Sequence, residues 1–298
     1  MNSTRKALRD LLEGHKIIVA PGAHNGVSAR IIEKVGFKAV YATGYGASAN
    51  QLSLADVGLM TMTEMVNHVH NLVDSVTVPV IADADTGYGN VINTIRTVQQ
   101  FEKAGVAAIQ LEDQVMPKRC GHMLGREIVA LDEMAGKIEA SVKARRDEDL
   151  VIIARTDART KYGIEEAIRR GQAYADAGAD VIFIESPESI EEMKSINESM
   201  SKPTLANIVE RGRTPQLSAG ELEEIGYKIA IFPVASVLAE TKVLFTVFNR
   251  LMETGSTNKV MEYLYDFEEF NLLMGADKVR ETERRYLPRL NSETTARL

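Results

Sequence analysis

A compact group of reactive residues follows a short apolar run near the middle of the chain. The run covers residues 107–111, the acids Glu112 and Asp113 follow it, and Lys-Arg-Cys-Gly-His stands at 118–122. Cys120 is the only cysteine of the chain, and its cationic and imidazole neighbours favour the thiolate over the thiol. We therefore expect Cys120 to take part in chemistry. The alternative is a small buried apolar residue, the common role of an unpaired cysteine.

Two aspartates follow another apolar run. Asp83 and Asp85 come after residues 78–82, and side chains two positions apart leave the same side of a strand. Neighbouring carboxylates repel unless a cation separates them, and oxygen ligands suit Mg²⁺ or Mn²⁺. We therefore predict a Mg²⁺ site at this pair, with Mn²⁺ as the other candidate ion. Asp56 and Glu112 would join it through metal-bound water. The alternative is that these acids are solvated loop residues, helix caps or ion-pair partners.

Arg155 ends a further apolar run, where an unpaired guanidinium would be costly. Its planar fork fits the carboxylate of a substrate. The alternative is an internal salt bridge to Glu185 or Asp157. Other polar residues follow the apolar runs or belong to the cysteine loop, and we expect them to contact the substrate: Thr43, Gly44, Tyr45, Lys118, Arg119, Gly121, His122, Glu185 and Asn207.

Eight apolar runs alternate with helical patterns along the chain. Continuous apolar runs are typical of parallel strands that are buried on both faces. Eight strand–helix units predict a (β/α)₈ barrel, whose active site lies where the strands end. A doubly wound sheet is the alternative, but no glycine-rich dinucleotide turn follows the first run. The predicted strands are 17–20, 39–42, 78–82, 107–111, 150–154, 181–184, 204–208 and 229–232.

Helical patterns separate the strands and continue after the last one. Glycines at 36, 105, 178 and 226 stand where helix C-caps are expected. We predict one barrel domain over 1–298, with a helical extension over 234–298 that packs in an oligomer. The predicted helices are 4–13, 25–35, 63–74, 90–104, 132–146, 164–177, 188–199, 218–225, 234–253, 257–272 and 276–286.

The composition is ordinary for a soluble globular protein, with 45% apolar and 26% charged residues. A net charge of −7 and the lack of a long Lys/Arg run argue against nucleic-acid binding. One cysteine excludes an internal disulfide and fits a reducing compartment. No apolar run approaches the ~20 residues that span a membrane, and no signal sequence is visible. We expect a cytoplasmic protein that binds neither nucleic acid nor membranes.

Four ordered motifs resemble those of the isocitrate lyase/phosphoenolpyruvate mutase superfamily. They are Asp-Ala-Asp-Thr-Gly-Tyr-Gly at 83–89, Leu-Glu-Asp-Gln at 111–114, Pro-Lys-Arg-Cys-Gly-His at 117–122 and Ala-Arg-Thr-Asp-Ala at 154–158. The resemblance covers roughly residues 5–290. It implies a (β/α)₈ barrel whose last helix is exchanged between subunits, in a homotetramer built as a dimer of dimers. It also implies Mg²⁺ and a 2-hydroxy- or 2-oxo-carboxylate substrate.

The resemblance also implies roles for the residues of the site. The four carboxylates named above hold the metal and its waters. In the carbon–carbon lyases, the C2 oxyanion is stabilised as the bond to C3 breaks, and the loop cysteine, here Cys120, protonates the departing carbanion. Tyr41 is a candidate for handling the C2 hydroxyl proton. The resemblance assigns the pyruvyl unit to Thr43, Gly44, Tyr45 and Arg155.

Three positions bear on the substrate within the short methylisocitrate lyase-like group that the chain resembles. That group typically has Arg after the loop His and Thr two residues after the strand-seven Asn, where this chain has Met123 and Val209. The loss of two polar groups favours an acid that leaves as propionate rather than succinate, as from 2,3-dimethylmalate. Pro233 resembles the lyases, whereas oxaloacetate hydrolases carry Ser in that region.

Other functions are the alternatives to this prediction. They are cleavage of methylisocitrate to pyruvate and succinate, hydrolysis of oxaloacetate, and carboxyphosphonoenolpyruvate mutase chemistry. A barrel kept as a binding or scaffold protein is the non-enzymatic alternative. The intact pair of aspartates and the loop thiol argue against it.

Overall fold

Eight parallel strands form a closed barrel in the computed structural model, which describes residues 4–121 and 125–287. Each strand pairs with its neighbours in chain order, and β8 pairs with β1 from Ile18–Ile229 to Pro21–Phe232. This closure confirms the predicted (β/α)₈ barrel and contradicts an open doubly wound sheet. The strands are β1 Ile18–Ala23, β2 Val40–Ala42, β3 Val80–Asp83, β4 Ala108–Glu112, β5 Val151–Thr156, β6 Val181–Ile184, β7 Thr204–Asn207 and β8 Ile229–Phe232.

Thirteen α-helices are formed by the described residues. Most lie within two residues of the predicted bounds. They are α1 Thr4–Glu13, α2 Gly26–Val35, α3 Gly44–Ala47, α4 Met62–Ser75, α5 Val91–Lys103, α6 Leu131–Ala144, α7 Arg159–Tyr162, α8 Ile164–Asp176, α9 Ile190–Ser199, α10 Ala219–Ile225, α11 Ala235–Thr254, α12 Phe267–Leu273 and α13 Ala276–Tyr286.

One predicted helix is wrong in its extent. Residues 257–272 contain a short 3₁₀ turn at Met261–Tyr263, and α12 begins only at Phe267. The side chain of Asp266 accepts hydrogen bonds from the backbone N–H groups of Glu268 and Glu269, so Asp266 is an N-cap that starts a separate helix. The short helices α3 and α7 and a π-helix at Ser48–Leu52 were not predicted.

The predicted glycine caps are confirmed. The backbone φ angles are 111° at Gly36, 91° at Gly105, 101° at Gly178 and 115° at Gly226. Glycine adopts this left-handed conformation without the steric cost of a Cβ atom. Each of these residues therefore ends a helix and turns the chain into the next strand.

The strands are buried on both faces, as the apolar runs predict. One buried cluster includes Ile81, Ile153 and Phe183 from the strands and Leu8 from α1. A second cluster includes residues of the strands and of the helices around them. Many of the buried polar side chains lie at the carboxyl ends of the strands. These residues form the candidate site, at the end of the barrel where active sites of this fold lie.

The chain divides into two compact units, Met1–Leu238 and Ala239–Leu298. In the second unit several large apolar side chains are exposed, among them Phe245, Phe248, Met252 and Phe267. The prediction of one barrel domain with a helical extension for oligomer packing, and of an exchanged helix, stays a prediction. Within the described ranges, no helix has the length and apolarity needed to cross a bilayer.

Candidate active site

The carboxyl ends of the strands surround a cavity of about 320 Å³. Most of the predicted site residues line it together, although they come from distant parts of the chain. Gly44 and Asp85 lie beside the lining residues, and His122 and Met123 fall outside the described residues. The predicted residues that line the cavity are Tyr41, Thr43, Tyr45, Asp56, Asp83, Glu112, Lys118, Arg119, Cys120, Gly121, Arg155, Glu185 and Asn207.

A cation does lie between two of the predicted metal-site carboxylates, and it is the ammonium of Lys118. Lys118 Nζ is 2.6 Å from Asp56 Oδ1 and 2.7 Å from Asp85 Oδ1, and all three side chains are buried. Burial alone would lower the pKa of Lys118, but Asp85 and Asp56 outweigh it and raise this pKa well above its ordinary value. Lys118, predicted to contact substrate, is thus placed among the acids.

The two aspartates come together for a different reason from the one predicted. Strand β3 ends at Asp83, and Asp85 has a φ of 48°, in a left-handed turn after the strand. The backbone N–H of Asp85 donates to Asp83 Oδ1 at 3.1 Å. Burial raises the pKa of Asp85 to about 6, against the opposite effect of Lys118. The turn, rather than the pleat of a strand, therefore brings Asp85 to Asp83.

These carboxylates suit a hydrated Mg²⁺ ion. Asp85 Oδ1 and Glu112 Oε1 are buried and accept no hydrogen bond from the described residues, although Asp85 Oδ1 has its ion pair with Lys118. Among the residues described, no three His, Cys, Asp or Glu side chains are already arranged as a complete ligand set. Mg²⁺ typically takes one or two carboxylates and keeps several waters, so the donor set fits this ion.

Arg155 is buried among carboxylates. Its Nε and Nη2 atoms each donate to Asp157 at 2.9 Å, and the guanidinium lies 3.3 Å from Glu112 and 3.2 Å from Glu185. Burial would raise the pKa of Asp157, but Arg155 and Arg126 outweigh it and lower this pKa. The salt bridges weighed as the alternative are therefore present. They hold the guanidinium at the cavity wall, and its contact with substrate stays a prediction.

A chain of hydrogen bonds joins Tyr41 to the acidic cluster. The Tyr41 hydroxyl donates to Gln110 Oε1 at 3.1 Å, and Gln110 Nε2 donates to Asp83 Oδ1 at 3.4 Å. Burial, reinforced by the charge of Asp83, raises the pKa of Tyr41 well above its ordinary value. In this structure Tyr41 is therefore a hydrogen-bond donor to Gln110, and its part in handling the C2 hydroxyl proton stays a prediction.

The segment that contains Cys120 covers one side of the cavity. Cys120 is half-buried, and its backbone N–H donates to the carbonyl of Asp56 at 3.3 Å. The carbonyl of Gly121 accepts from Ser186 Oγ at 3.1 Å. A Cβ atom added to Gly121 would lie 2.5 Å from Glu185 Oε2, so a larger residue would displace the Glu185 carboxylate. The backbone on both sides of the thiol is thus held at the cavity that Cys120 lines, and the role of the thiol stays a prediction.

The cavity wall has a polar end and an apolar part. Glu185 accepts from Asn207 Nδ2 at 3.0 Å and from Ser186 Oγ at 3.1 Å, which fixes this polar end of the site. The lining then continues with side chains that offer no hydrogen bond. They are Val209, Ile231, Pro233, Val234 and Leu238, and the exposed Glu210 stands among them.

The short helix α3 positions the predicted substrate-binding turn. Thr43 is its N-cap, and its Oγ1 accepts from the backbone N–H of Gly46 at 3.3 Å. A Cβ atom on Gly44 would lie 2.7 Å from Asp83 Oδ2, so the close approach of the turn to the acids requires glycine. The turn and the acidic cluster are therefore parts of one packed site.

The sequence analysis assigns no supporting role in the site to three residues that have one. Gln110 is fully buried in the middle of β4, and a polar residue inside an apolar run was the available signal. Asp157 was considered only as a possible partner of Arg155, and it also pairs with Arg126. Ser186, two residues after β6, contacts Gly121, and nothing in the sequence indicates a contact across 65 residues.

Comparisons with known proteins agree with this geometry. Residues 8–251 match the family model described as phosphoenolpyruvate phosphomutase. The chain is 56% identical over 286 residues to 2,3-dimethylmalate lyase of Eubacterium barkeri, covering 96% of this chain and 99% of that protein.

Two solved structures show the same agreement. The trigonal crystal structure of 2,3-dimethylmalate lyase, described as a PEP mutase/isocitrate lyase superfamily member, has a TM-score of 0.91 and 38% identity and covers 96% of both chains. The complex of phosphonopyruvate hydrolase with oxalate and Mg²⁺ has a TM-score of 0.87 and 32% identity, over 96% of this chain and 100% of the other. The predicted resemblance is confirmed, and the chain belongs to the phosphoenolpyruvate phosphomutase family, within the PEP mutase/isocitrate lyase superfamily.

Proposed function

We propose that this protein is a Mg²⁺-dependent carbon–carbon lyase that cleaves 2,3-dimethylmalate to pyruvate and propionate. The observation that carries the proposal is the single cavity in which buried carboxylates, the guanidinium of Arg155 and the thiol of Cys120 meet an apolar surface. The lyase relative with 56% identity over nearly the whole chain supports the same reaction class.

Asp83 and Asp85 would hold the metal, with Asp56 and Glu112 on its water molecules. Bound Mg²⁺ supplies positive charge that stabilises a developing oxyanion. Glu112 Oε1, which is buried and accepts no hydrogen bond from the described residues, supports this assignment. The related hydrolase whose structure contains oxalate and Mg²⁺ supports it as well.

The other side chains have roles that follow from their positions. Arg155, held by Asp157, would bind the carboxylate of the pyruvyl unit together with the Thr43–Tyr45 turn. Tyr41, whose hydroxyl proton is donated to Gln110 in this structure, would turn that proton to the C2 oxygen of the bound substrate. The C2 hydroxyl would lose its proton to a carboxylate of the acidic cluster as the C2=O bond of pyruvate forms. The electron pair of the breaking C2–C3 bond stays on C3, and the Cys120 thiol would give C3 a proton.

The apolar surface supports 2,3-dimethylmalate over a tricarboxylate. Val209, Val234 and Leu238 offer contact to a methyl group, whereas a substrate that releases succinate brings a third carboxylate. The carboxylate of Glu210 beside them would repel that group. Differences of this kind are typically worth about 1–3 kcal/mol, or roughly 10–200-fold in kcat/KM.

Pyruvate release by the purified protein tests the substrate and the metal. Racemic 2,3-dimethylmalate, 2-methylisocitrate, oxaloacetate and carboxyphosphonoenolpyruvate are each supplied with Mg²⁺ or with EDTA. Pyruvate is measured through lactate dehydrogenase, and the other products are measured by chromatography. We expect the highest kcat/KM with dimethylmalate and a loss of turnover in EDTA. Faster turnover of methylisocitrate would make the protein a methylisocitrate lyase. Oxalate and acetate from oxaloacetate would show a hydrolase, and turnover of a carboxyphosphonoenolpyruvate would show a mutase.

The variant Cys120→Ser tests the proton donor. A hydroxyl is a far weaker acid than a thiol, so turnover should fall by about 10²–10⁴-fold. Binding of pyruvate, followed by calorimetry in Mg²⁺, should change little because other residues hold it. Near-normal turnover in this variant would remove Cys120 as the acid.

We further propose that the protein works as a homotetramer, a dimer of dimers, in the cytoplasm. The exposed aromatic side chains of the second unit support an oligomer, because monomeric proteins rarely leave such groups in water.

A further inference from the structure

The side chain of Gln114 forms a two-point hydrogen bond with the backbone of Arg119. Gln114 Nε2 donates to the carbonyl of Arg119 at 2.9 Å, and Gln114 Oε1 accepts from the backbone N–H of Arg119 at 2.9 Å. The side chain is buried, with 2% of the residue exposed, although it does not line the cavity. Both hydrogen-bonding functions of the amide are therefore used on one residue of the cysteine segment.

Backbone hydrogen bonds hold the residues on both sides of Gln114. Val115 N–H donates to Glu127 O and Val129 N–H donates to Asp113 O, both at 2.8 Å, and Gln114 pairs with Ile128 in an antiparallel bridge. These contacts join the two ends of the segment directly after β4. The Gln114 amide therefore links the end of β4 to Arg119, the residue that precedes Cys120.

The other described anchors of residues 118–121 pass through the proposed metal or substrate groups. Lys118 is held by Asp56 and Asp85, and the backbone of Cys120 by Asp56. Gly121 is held by Ser186, which also contacts Glu185. Gln114 contacts neither group. A change at Gln114 thus removes an anchor of the thiol without replacing any side chain of the acids or of the polar end of the cavity.

We propose that Gln114 is a positioning residue that sets the place of the Cys120 thiol through the backbone of Arg119. The proposal rests on the proposed function for the task of that thiol. A displacement of about 1 Å between reacting groups can cost about 10²-fold in rate. Loss of the two-point contact should therefore affect the proton-transfer step far more than the binding of substrate.

The test uses Gln114→Leu and Gln114→Glu in the full chain. Leucine fills similar space but makes neither hydrogen bond. Glutamate keeps the acceptor for the Arg119 N–H and places a carboxylate oxygen against the Arg119 carbonyl. The matched control is Gln172→Leu on α8, because Gln172 is an exposed glutamine whose amide donates to the carbonyl of Ser199.

Alkylation provides a readout that needs no turnover, because Cys120 is the only thiol in the chain. Both Gln114 variants should react with iodoacetamide about tenfold faster than the parent, since the segment leaves its anchored position more often. Their kcat for pyruvate release should fall by about 10–100-fold, with KM changed less than about threefold. Gln172→Leu should match the parent in all three quantities.

The outcomes separate this proposal from the proposed function. Faster alkylation in the Gln114 variants supports the positioning role even if dimethylmalate is not cleaved, which would overturn only the lyase assignment. An unchanged alkylation rate in folded Gln114→Glu overturns the positioning role, whatever its turnover. If Gln114→Leu does not fold, Gln114→Glu decides alone. The same loss of kcat or the same faster alkylation in Gln172→Leu also overturns the positioning role, because the effect would then not be local.

Discussion

Individual residues of the site are held by pairing of buried charges. Arg155 touches three carboxylates, and Lys118 touches two. A buried charge is tolerable only when opposite charges or hydrogen bonds compensate it, so each of these side chains constrains the others. Substitutions at supporting residues should therefore have effects comparable to those at residues that contact the substrate.

Asp157→Asn should show this dependence. The amide can still accept one hydrogen bond from Arg155, but the charge that compensates Arg155 and Arg126 is lost. We expect kcat/KM to fall by about 100-fold and the free energy of unfolding to drop by about 3 kcal/mol. Steady-state kinetics and urea unfolding measure the two effects, and Asp176→Asn at the end of α8 is the control. Parent-like values for both quantities would contradict the support role of Asp157.

Gly121→Ala should impair activity with little effect on folding. The added Cβ would press on Glu185 Oε2 at 2.5 Å and on the Arg155 guanidinium. We expect kcat/KM to fall by about tenfold or more, with a small change in melting temperature. Gly136→Ala is the matched control, because its Cβ would meet nothing within 4 Å. Equal activity of the two variants would show that the segment does not press on the site.

The strands and most helices of the barrel could be located from the sequence. The elements that the sequence did not predict correctly have local causes. Apolar runs located all eight strands, since burial on both faces leaves few polar residues inside them. Asp266 interrupts a helical pattern because its side chain caps backbone N–H groups. Helix α3 spans only four residues, which is too short to show a helical period.

Helix α4 should make stability depend on pH through His68. The buried ring of His68 accepts at Nδ1 from Gln51 Nε2 at 3.2 Å, and Nε2 meets no described partner. Burial, with a smaller effect of His24, lowers the pKa of His68 from 6.5 to about 4. The unfolded chain therefore binds the proton more readily, so stability present above about pH 6.5 is lost as the pH falls toward 4.

The contribution of His68 to the free energy of unfolding should fall by about 2 kcal/mol between pH 7 and pH 5. It is measured as the difference between the parent and His68→Gln in urea unfolding at each pH. His70→Gln is the control, because His70 is exposed on the same helix. A parent and His68→Gln with parallel pH profiles would contradict a neutral buried ring.

The whole molecule combines a barrel with a unit whose apolar surface is exposed. Phe245 and Phe248 on α11 are 66% and 58% exposed. If these side chains are covered by other subunits, Phe245→Glu with Phe248→Glu should convert a species of about four chains into smaller ones. Light scattering after gel filtration measures the mass. Glu253→Ala, on the same helix and exposed, is the control, and a monomeric parent would contradict the proposed tetramer.

Metal binding should also be visible in the stability of the whole molecule. A ligand that binds only the folded state adds about 2.7 kcal/mol at a concentration of 100 Kd. Mg²⁺ should therefore raise the melting temperature of the parent and leave that of Asp83→Asn unchanged. Calorimetry with Mg²⁺ and with EDTA measures both. A parent unaffected by Mg²⁺ would contradict the metal site.

The sequence by itself determined the barrel and most of the residues around its cavity. Apolar periodicity is a local property, and parallel strands bring their carboxyl ends together whatever the detailed packing. The acids, the arginine and the cysteine could therefore be collected without coordinates. The family could be identified from the four ordered motifs, and the comparisons confirmed it.

Only the tertiary structure decided which side chains pair. The left-handed turn at Asp85, the ammonium of Lys118 between two acids, and the contact of Gln114 with Arg119 depend on distances between backbone segments. Charge pairing and hydrogen bonding act over a few ångströms, and a linear pattern does not contain those separations. The sequence thus identifies most residues of the site, and the fold determines which of them contact one another.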